Sequence, residues 1–311
     1  MQIKIDESLA GLTVKELLLK NGISRGLISR LKRLDDGITV NGEHVTVRRV
    51  LEKDELLTLV TDDLPQDENE FLVPTEMPLD IIYEDDDLIA VNKPPDTATH
   101  PSIGHFDDTL ANGLAYYFAK QNKPFVFRAV NRLDRDTSGV VLVAKNRLSA
   151  ARLTALMQKG RIRKTYIAVL NGRLPCENGT IETYIRRKGE SIILREVCDA
   201  LADGARKALT VYETLFSSDT ASVVRAEPVT GRTHQLRVHF SHLGCPIVGD
   251  AFYGSAETLP TLFDLAISRQ ALHAASLKID FGEHSLVLDA ALPHDMEHLC
   301  NLIKGEKIEL G

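Results

Sequence analysis

Residues 131 to 139 read Asn131-Arg132-Leu133-Asp134-Arg135-Asp136-Thr137-Ser138-Gly139, and the apolar run Val140-Val141-Leu142-Val143-Ala144 follows directly. The pattern predicts a polar loop that ends where a buried strand begins. A strand in the core holds such a loop in place, and reactive side chains commonly lie on loops that a rigid scaffold positions. A loop of this composition is more often a simple turn, so the assignment of Asp134 as a reactive carboxylate depends on other residues.

Further polar blocks follow downstream. In chain order they read Lys164-Thr165-Tyr166, then Gly231-Arg232-Thr233-His234-Gln235-Leu236-Arg237-Val238-His239, then Gly249-Asp250-Ala251-Phe252-Tyr253-Gly254. With the Asp134 loop, they resemble the RNA pseudouridine synthases of the large-ribosomal-subunit class, the RluA type, over about residues 78 to 280. The resemblance implies an isomerase that flips specific uridines out of structured RNA and converts them to pseudouridine. The RNA is rRNA or, as an open alternative, tRNA.

The resemblance also implies roles for individual residues. Asp134 matches the catalytic aspartate, which either adds covalently to the nucleoside or stabilises positive charge at C1′ while a glycal forms. Arg237 matches the arginine that pairs with this aspartate, and Tyr166 the aromatic residue that stacks on the target base and serves in proton transfer. Lys164 would hold its strand or a phosphate. Arg132 would fill the gap left by the flipped uridine or form a structural salt bridge.

One position departs from the family pattern. The family usually has histidine before Arg-Leu-Asp, where this chain has Asn131. Asparagine can still form hydrogen bonds, so we expect activity without any pH-sensitive role of that histidine. Asp136 is assigned to local hydrogen bonding. His234, His239 and His242 are interpreted as structural residues, since no acidic ligand is spaced with them to form a metal site.

The chemistry requires no cofactor. Pseudouridine forms when the N1–C1′ bond breaks, the base turns and a bond forms through C5, so substrate and product contain the same atoms. The sequence has neither a glycine-rich phosphate loop nor metal-ligand spacing. We therefore expect no cofactor, an ionised carboxylate close to C1′ and a means of taking the uridine out of its stack.

The distribution of charge favours RNA as the partner although the whole chain carries a net charge of −7. Residues 61–90 hold eleven acidic residues and no basic ones, so the rest of the chain carries −7 + 11 = +4. Residues 131–170, around the Asp134 loop, contain nine Lys or Arg and two Asp, a net +7. A polyanion responds to this local field rather than to the total charge.

Residues 1–60 predict a small RNA-binding module. Thr13 to Glu16 form a capping-box pattern at the start of a helix that ends near Gly22, and Ser24 can cap a second helix. An Asn41-Gly42 turn then predicts a hairpin. This order resembles the S4 RNA-binding module. The apolar face of the second helix opposes a basic face, for which we predict RNA contacts; its residues are Arg25, Arg30, Lys32 and Arg33.

The rest of the chain predicts an acidic linker and a larger domain. Residues 61–77, rich in acids and proline, are interpreted as a linker that lies away from RNA and lets the module move. Residues 78–305 are interpreted as the catalytic domain. Alternating strand patterns without a regular βαβ repeat predict an α+β fold, with a mixed, mostly antiparallel sheet and flanking helices.

Bulk properties suit a soluble protein. No apolar run is long enough for a membrane helix, and the first residues are not those of a signal peptide. The four cysteines are scattered, so we interpret them as reduced thiols of a cytoplasmic protein. We expect a monomer that does not associate with membranes.

Two other function classes are compatible with parts of the sequence. Asp134-Arg135-Asp136-Thr137 resembles the Asp-x-Asp-x-Thr start of haloacid-dehalogenase-type, Mg²⁺-dependent phosphatases, although here a strand follows the motif rather than precedes it. A non-catalytic RNA-binding or ribosome-assembly protein would use only the N-terminal module. Phosphoester hydrolysis with Mg²⁺ would identify the first class, and RNA binding without isomerisation the second.

Overall fold

The computed structural model describes residues 1–23, 25–60, 72–102, 104–254, 263 and 266–306. Ser24 and the acidic stretch 61–71 lie outside the described residues, so the predicted cap of the second helix and most of the predicted linker are not discussed further.

The N-terminal residues form an antiparallel sheet with two helices on it. In chain order the elements are β1 (Gln2–Lys4), α1 (Val14–Lys20), α2 (Arg25–Leu31), β2 (Ile38–Val40), β3 (Glu43–His44) and β4 (Leu56–Leu59). The sheet order is β1-β4-β2-β3. Thr13 caps α1 through the predicted capping box, and Asn41 and Gly42 adopt φ values of 52° and 86°, as the hairpin turn requires.

Helix α2 has the amphipathic character that its sequence predicts. Leu27, Ile28 and Leu31 are buried in the core of the module. The predicted basic residues are exposed to solvent; Arg25 and Arg30 lie on α2, and Lys32 and Arg33 lie in the turn that follows it. Burial of an aliphatic side chain stabilises a fold by about 1.5–3 kcal/mol, so the apolar face determines how α2 packs and leaves the charges in solvent.

The predicted catalytic domain is built on one large sheet. Its strands are β5 (Ile81–Glu84), β6 (Leu88–Lys93), β7 (Ser138–Ala144), β8 (Ile162–Asn171), β9 (Asn178–Arg187), β10 (Arg195–Cys198), β11 (Arg206–Ser217), β12 (Ala221–Pro228), β13 (Leu272–Asp280) and β14 (Ser285–Asp289). The order is β10-β9-β11-β12-β8-β13-β7-β6-β5, and β14 pairs with β13. Among the described strands only β13 and β7 pair in parallel. The predicted α+β fold with a mostly antiparallel sheet is confirmed.

Helices cover both faces of this sheet. They are α3 (Leu110–Ala119), α4 (Arg147–Gln158), α5 (Gln235–His242) and α6 (His294–Glu306). The main core contains Phe118 of α3, Phe240 of α5 and Leu299 of α6, whereas Leu153 of α4 lies in the core of the opposite face. Helix α5, formed by the Gln-Leu-Arg motif, was not predicted.

The last part of the predicted linker contacts the catalytic domain. Asn112 of α3 donates through Nδ2 to the carbonyl oxygen of Val73 at 2.8 Å, and its own backbone carbonyl accepts from the Thr75 amide at 3.2 Å. Residues 72–77 therefore lie along α3 as an extension of the catalytic domain.

The N-terminal module also contacts the catalytic domain. Helix α2 packs against α4, and Leu148 and Ala151 of α4 belong to the apolar core of the module. Leu148 is only 4% exposed. The structure thus places the module against α4, with an apolar side chain of α4 buried in the core of the module, and the predicted motion of the module stays a prediction.

Candidate active site

The Asp134 loop is fixed at both ends by hydrogen bonds to its own strand and to the β6–α3 segment. Asn131 donates through Nδ2 to the Val140 carbonyl at 2.9 Å and accepts from the Leu142 amide through Oδ1 at 2.9 Å. Thr99 donates to the Leu133 carbonyl at 3.0 Å. Both polar atoms of the Asn131 side chain thus form hydrogen bonds with the backbone of β7. The residue therefore holds the loop in place without a titratable group.

Glycine is required where the loop enters β7. Gly139 has a φ of 114°, and a Cβ atom there would lie 2.2 Å from the carbonyl oxygen of Ala274. The parallel pairing of β7 with β13 brings these backbones together. Any side chain at this position would separate the two strands and displace the loop.

A buried lysine holds the Asp134 loop through hydrogen bonds to backbone carbonyl oxygens. Lys93, at the end of β6, is fully buried and donates through Nζ to the carbonyl oxygens of Pro94 and Thr97 at 2.7 Å each and of Arg135 at 2.9 Å. Burial lowers the pKa of Lys93 to about 7, against the charges of Asp136 and Asp134, which raise it. Three acceptors around one nitrogen match the three donors of an ammonium group, so the carbonyl oxygens favour the charged form.

A buried arginine holds the next residue of the loop. Arg269 is 7% exposed and donates through Nε and Nη2 to both carboxylate oxygens of Asp295, at 2.7 and 2.9 Å. Its Nη1 donates to the Asp136 carbonyl at 3.1 Å, and Gln270 donates to the Thr137 hydroxyl at 3.2 Å. The backbone after Asp134 is therefore tied to α6. Asp136 itself contributes its carbonyl group to this network.

Arg237 lies between two carboxylates. Helix α5 directs its side chain, 4% exposed, toward Asp250, which accepts from Nε at 2.7 Å and from Nη2 at 2.8 Å. Nη1 donates to Oδ2 of Asp134 at 3.1 Å. Burial alone would lower the pKa of Arg237, but the hydrogen bonds and charge of Asp250, and then of Asp134, raise it on balance. The guanidinium is therefore a permanent cation beside Asp134, whose side chain remains 31% exposed.

Strand β8 brings the Lys164 and Tyr166 side chains to the same face of the sheet, since strand residues two apart share a face. Tyr166 is 8% exposed, and burial, with a smaller effect of the Asp134 charge, raises the pKa of its hydroxyl. Tyr166 is therefore a neutral phenol that can donate a hydrogen bond and is a weak base. Burial lowers the pKa of Lys164, whose Nζ lies near Gly231 at the start of the second block.

His234 completes the described surroundings of Asp134. It precedes α5 with a φ of 56°, and its Nε2 lies 3.7 Å from Oδ2 of Asp134. Its Nδ1 lies 2.8 Å from the Tyr253 hydroxyl, which accepts from the Arg195 amide at 2.9 Å. Burial lowers the pKa of His234, and the charges of Asp134 and Arg237 act in opposite directions.

The predicted RNA-binding residues lie in two places. Arg132 is exposed on the Asp134 loop and forms no ion pair within the part of the chain that the structure describes. Its neighbour Arg135 pairs with Asp96. The four basic residues at α2 and in the turn after it lie on the N-terminal module, which packs on α4 rather than on the Asp134 loop.

Metal ligands are not grouped in the described residues: no cluster of three or more His, Cys, Asp or Glu there could hold an ion. His239 instead contacts the hydroxyls of Thr210 and Thr183, at 2.9 and 3.0 Å. The four cysteines are free thiols, and no described helix is long and apolar enough to cross a membrane.

The chain is similar to known proteins. The profile of the RNA pseudouridylate synthase family matches residues 87–242, about half of the chain and the part that carries Asp134, Tyr166 and Arg237. The chain belongs to this family. The pseudouridine synthase is 37% identical to the protein named uncharacterized RNA pseudouridine synthase YjbO of Bacillus subtilis, over 95% of this chain and 99% of the relative.

A second relative and a solved structure are also similar to this chain. The ribosomal large subunit pseudouridine synthase D of Zymomonas mobilis is 32% identical, over 97% of each chain. The solved structure of human RNA pseudouridylate synthase domain containing 1 superposes with a TM-score of 0.57 at 29% identity, covering 73% of this chain and 95% of that one. This pseudouridine synthase is therefore an isomerase that acts on RNA, and the phosphatase alternative is excluded.

Several residues of the site were missed in the sequence. Lys93 lies in Asn92-Lys93-Pro94-Pro95, to which no role was assigned, and Asp250 lies in a block that was quoted without a role for its carboxylate. No sequence pattern around Arg269 indicated that this residue belongs to the site. A lysine before two prolines and an aspartate after glycine are features that could have drawn attention to the first two.

Proposed function

We propose that Asp134 is the catalytic group of this pseudouridine synthase, with Arg237 as its fixed counter-ion. The observation that supports this most directly is the hydrogen bond from Arg237 Nη1 to Asp134 Oδ2, formed by an arginine whose other contacts are to the fully buried Asp250 carboxylate. A permanent cation favours the ionised carboxylate, which the reaction needs next to C1′. Partial exposure of Asp134 leaves room for a nucleoside to approach.

Tyr166 is proposed to contact the flipped uracil and to donate a hydrogen bond to it. Its ring is mostly buried in the main core, and its raised pKa argues against a role as a base. Lys164, close to Gly231, is proposed to bind a phosphate near the flipped nucleotide. Arg132, exposed on the catalytic loop, is proposed to enter the stack where the uridine leaves it.

The substrate proposed for this chain is rRNA. The support is similarity along nearly the whole chain to proteins named ribosomal large subunit pseudouridine synthase D, at 32% identity in Zymomonas mobilis and 35% in Vibrio parahaemolyticus. tRNA is the alternative, and maps of pseudouridine in total RNA from cells with and without the gene distinguish the two.

Residues 1–60 are proposed to be an S4-type module that binds RNA through the exposed basic face of α2. Two helices, an Asn-Gly hairpin and four exposed basic residues, two on α2 and two in the turn after it, support this assignment. We further propose that the protein works as a monomer in the cytoplasm. A separate role in ribosome assembly, carried by the module, is compatible with these features.

The test of the catalytic assignment is Asp134→Asn. The amide keeps the shape of the side chain but is neither a nucleophile nor an anion, so tritium release from RNA labelled with 5-³H-uridine should be abolished while RNA affinity stays within a few-fold. Asp136→Asn is the matched control, and it should retain activity. Turnover by Asp134→Asn at the wild-type rate would refute the assignment, and inactivity of Asp136→Asn alone would transfer it to that residue.

A further inference from the structure

We propose that His234 is a further catalytic residue, a neutral imidazole whose Nε2–H donates a hydrogen bond to the uracil as it leaves C1′. This inference rests on the proposed role of Asp134. It is carried by a chain of contacts that leads to the neighbourhood of Asp134, from the Arg195 amide through the Tyr253 hydroxyl to Nδ1 of His234.

The contacts favour the tautomer of His234 that carries its proton on Nε2. The Tyr253 oxygen accepts from the Arg195 N–H at 2.9 Å, which leaves the phenol hydrogen to donate to Nδ1 of His234 at 2.8 Å. A neutral imidazole carries one proton, so an accepting Nδ1 places that proton on Nε2. Burial and the neighbouring Arg237 and Arg195 cations disfavour the doubly protonated ring and lower the pKa of His234, although Asp134 and Asp250 oppose them.

Nε2 of His234 lies next to the Asp134 carboxylate without a hydrogen bond to it. It lies 3.7 Å from Oδ2 of Asp134, which is longer than a hydrogen bond, while Arg237 donates to this oxygen at 3.1 Å. His234 is therefore not needed to hold the carboxylate. Because Nε2–H is too far from Asp134 to donate to it, it can donate to a group that binds beside Asp134. We infer that this group is the nucleoside.

The chemistry of the first step requires such a donor. When the C1′–N1 bond breaks, its electron pair leaves with the uracil, and C1′ either bonds to an Asp134 oxygen or carries positive charge next to it. The negative charge of the uracil spreads over N1 and its carbonyl oxygens. A fixed N–H in a partly dry site stabilises this charge without transferring its proton, and one such donor commonly contributes a factor of roughly 10²–10³ in rate.

The backbone at His234 suits this role. Its φ of 56° lies in the left-handed region, which branched residues avoid, and its ring meets the Tyr253 ring edge to face at a centroid distance of 5.5 Å. The strained backbone and the ring contact fix the direction of the imidazole. Substitutions must therefore be compared between residues without a branch at Cβ, which carry a similar backbone cost.

The experiment compares His234→Gln with His234→Leu in the full chain. Glutamine keeps an N–H donor at similar reach, and leucine keeps volume without a donor. Single-turnover tritium release should fall on the order of 100-fold in His234→Leu and less than about tenfold in His234→Gln, with RNA affinity and circular dichroism unchanged. His242→Leu and His242→Gln, at an exposed histidine of the adjoining helix, are the matched controls and should react at the wild-type rate.

Tyr253→Phe tests the relay, because it removes the hydroxyl and keeps the ring. It should slow the wild-type enzyme about tenfold and have little effect in the His234→Gln background, since linked residues are not additive. ¹⁵N-histidine spectra of the free enzyme should show Nδ1 of His234 without a proton. The proposal is overturned if Nδ1 is protonated, if the Leu and Gln variants react equally, or if Tyr253→Phe costs the same in both backgrounds. An active Asp134→Asn variant would instead refute the proposed function.

Discussion

Arg237 donates to Asp250 through two nitrogens and to Asp134 through the third, so that the buried carboxylate determines where the guanidinium stands beside the exposed one. The Asp250 side chain is fully buried, so its carboxylate needs the charge of Arg237 to compensate it. The Asp134 side chain, by contrast, is 31% exposed. The cation is thereby fixed before RNA binds. Preorganised charge of this kind does not have to rearrange during the reaction.

The first prediction concerns this pair. Arg237→Met should lower the free energy of unfolding by about 3–5 kcal/mol, because it leaves the Asp250 carboxylate buried and unpaired. The double variant Arg237→Met/Asp250→Asn should recover most of that stability and still react orders of magnitude more slowly than wild type. Denaturant unfolding and single-turnover rates check the two parts.

A matched control is the exposed ion pair of Arg225 and Glu213, joined at 2.7 Å. Arg225→Met should change stability by less than about 1 kcal/mol, since exposed pairs contribute little. Partial recovery of the Arg237→Met rate at higher pH would show that one carboxylate had taken up a proton. A double variant with the wild-type rate would contradict the pairing argument.

The second prediction concerns Arg269, which ties the backbone of the catalytic loop to Asp295 of α6. Arg269→Lys keeps the charge but cannot form this set of bonds, and Asp295→Asn weakens it. Both should lower kcat by roughly 10- to 100-fold while KM changes little, because a small shift of the reacting group affects the reaction more than binding.

The control is a second two-pronged pair of the same type. Arg161 donates to Asp280 through Nε and Nη2 at 3.2 and 2.9 Å, between the start of β8 and the end of β13. Arg161→Lys and Asp280→Asn should leave kcat unchanged. An equal decrease of kcat for both pairs would indicate general destabilisation rather than positioning of the loop.

A third prediction concerns pH and His239, which is fully buried and contacts two threonine hydroxyls. Burial, with a smaller effect of His242, lowers its pKa to about 4. The pKa of His239 is lower in the folded protein than its value of about 6.5 in the unfolded chain. Between these two pH values the unfolded chain therefore binds a proton that the folded protein does not. Stability should therefore fall as pH drops from about 6.5 to 4, by up to about 3 kcal/mol from this residue.

Unfolding curves in urea at several pH values measure this effect. His239→Gln cannot titrate, and its stability should depend less steeply on pH within that window, even if it is lower throughout. His242→Gln, at the exposed position, is the comparison and should follow wild type. The same slope in wild type and His239→Gln would show that His239 is not the titrating group.

The fourth prediction concerns RNA binding by the basic face of α2. Replacing Arg25, Arg30, Lys32 and Arg33 by Gln should raise KM for long RNA and reduce the slope of log affinity against log salt by roughly one unit for each phosphate that is no longer bound. Turnover at saturating RNA should change little, because the residues around Asp134 remain. Lys15→Gln/Lys20→Gln, exposed on α1, controls for charge alone. Unchanged affinity at every salt concentration would refute the RNA-binding role.

A fifth prediction concerns the packing of the module on α4. Leu148→Asp places a charge in this apolar interface and should separate the module from the catalytic domain, which would increase the radius of gyration in solution scattering. Thr154→Asp, at an exposed position of α4, should not. Because the module and the active site would no longer be held together, KM for long RNA should rise more than KM for a short stem-loop. An unchanged radius would contradict the docked arrangement.

The sequence by itself determined the local elements and the family. The capping box at Thr13 and the Asn41-Gly42 turn specify their structure through contacts within a few residues, and the run Val140–Ala144 is apolar enough to indicate a buried strand. Such contacts depend on side-chain chemistry and backbone propensity, both of which a sequence displays directly. The motif around Asp134 and the one around Arg237 identified the chemistry in the same way.

The tertiary structure decided which groups surround Asp134 and how the module is held. Lys93 reaches Arg135 and Arg269 reaches Asp136 only because β6, β7 and β13 are neighbours in the sheet. The helix of the Arg237 motif and the burial of Leu148 likewise depend on packing between distant segments. Ion pairs and apolar contacts have no fixed sequence separation, so their partners emerge only when the chain has folded.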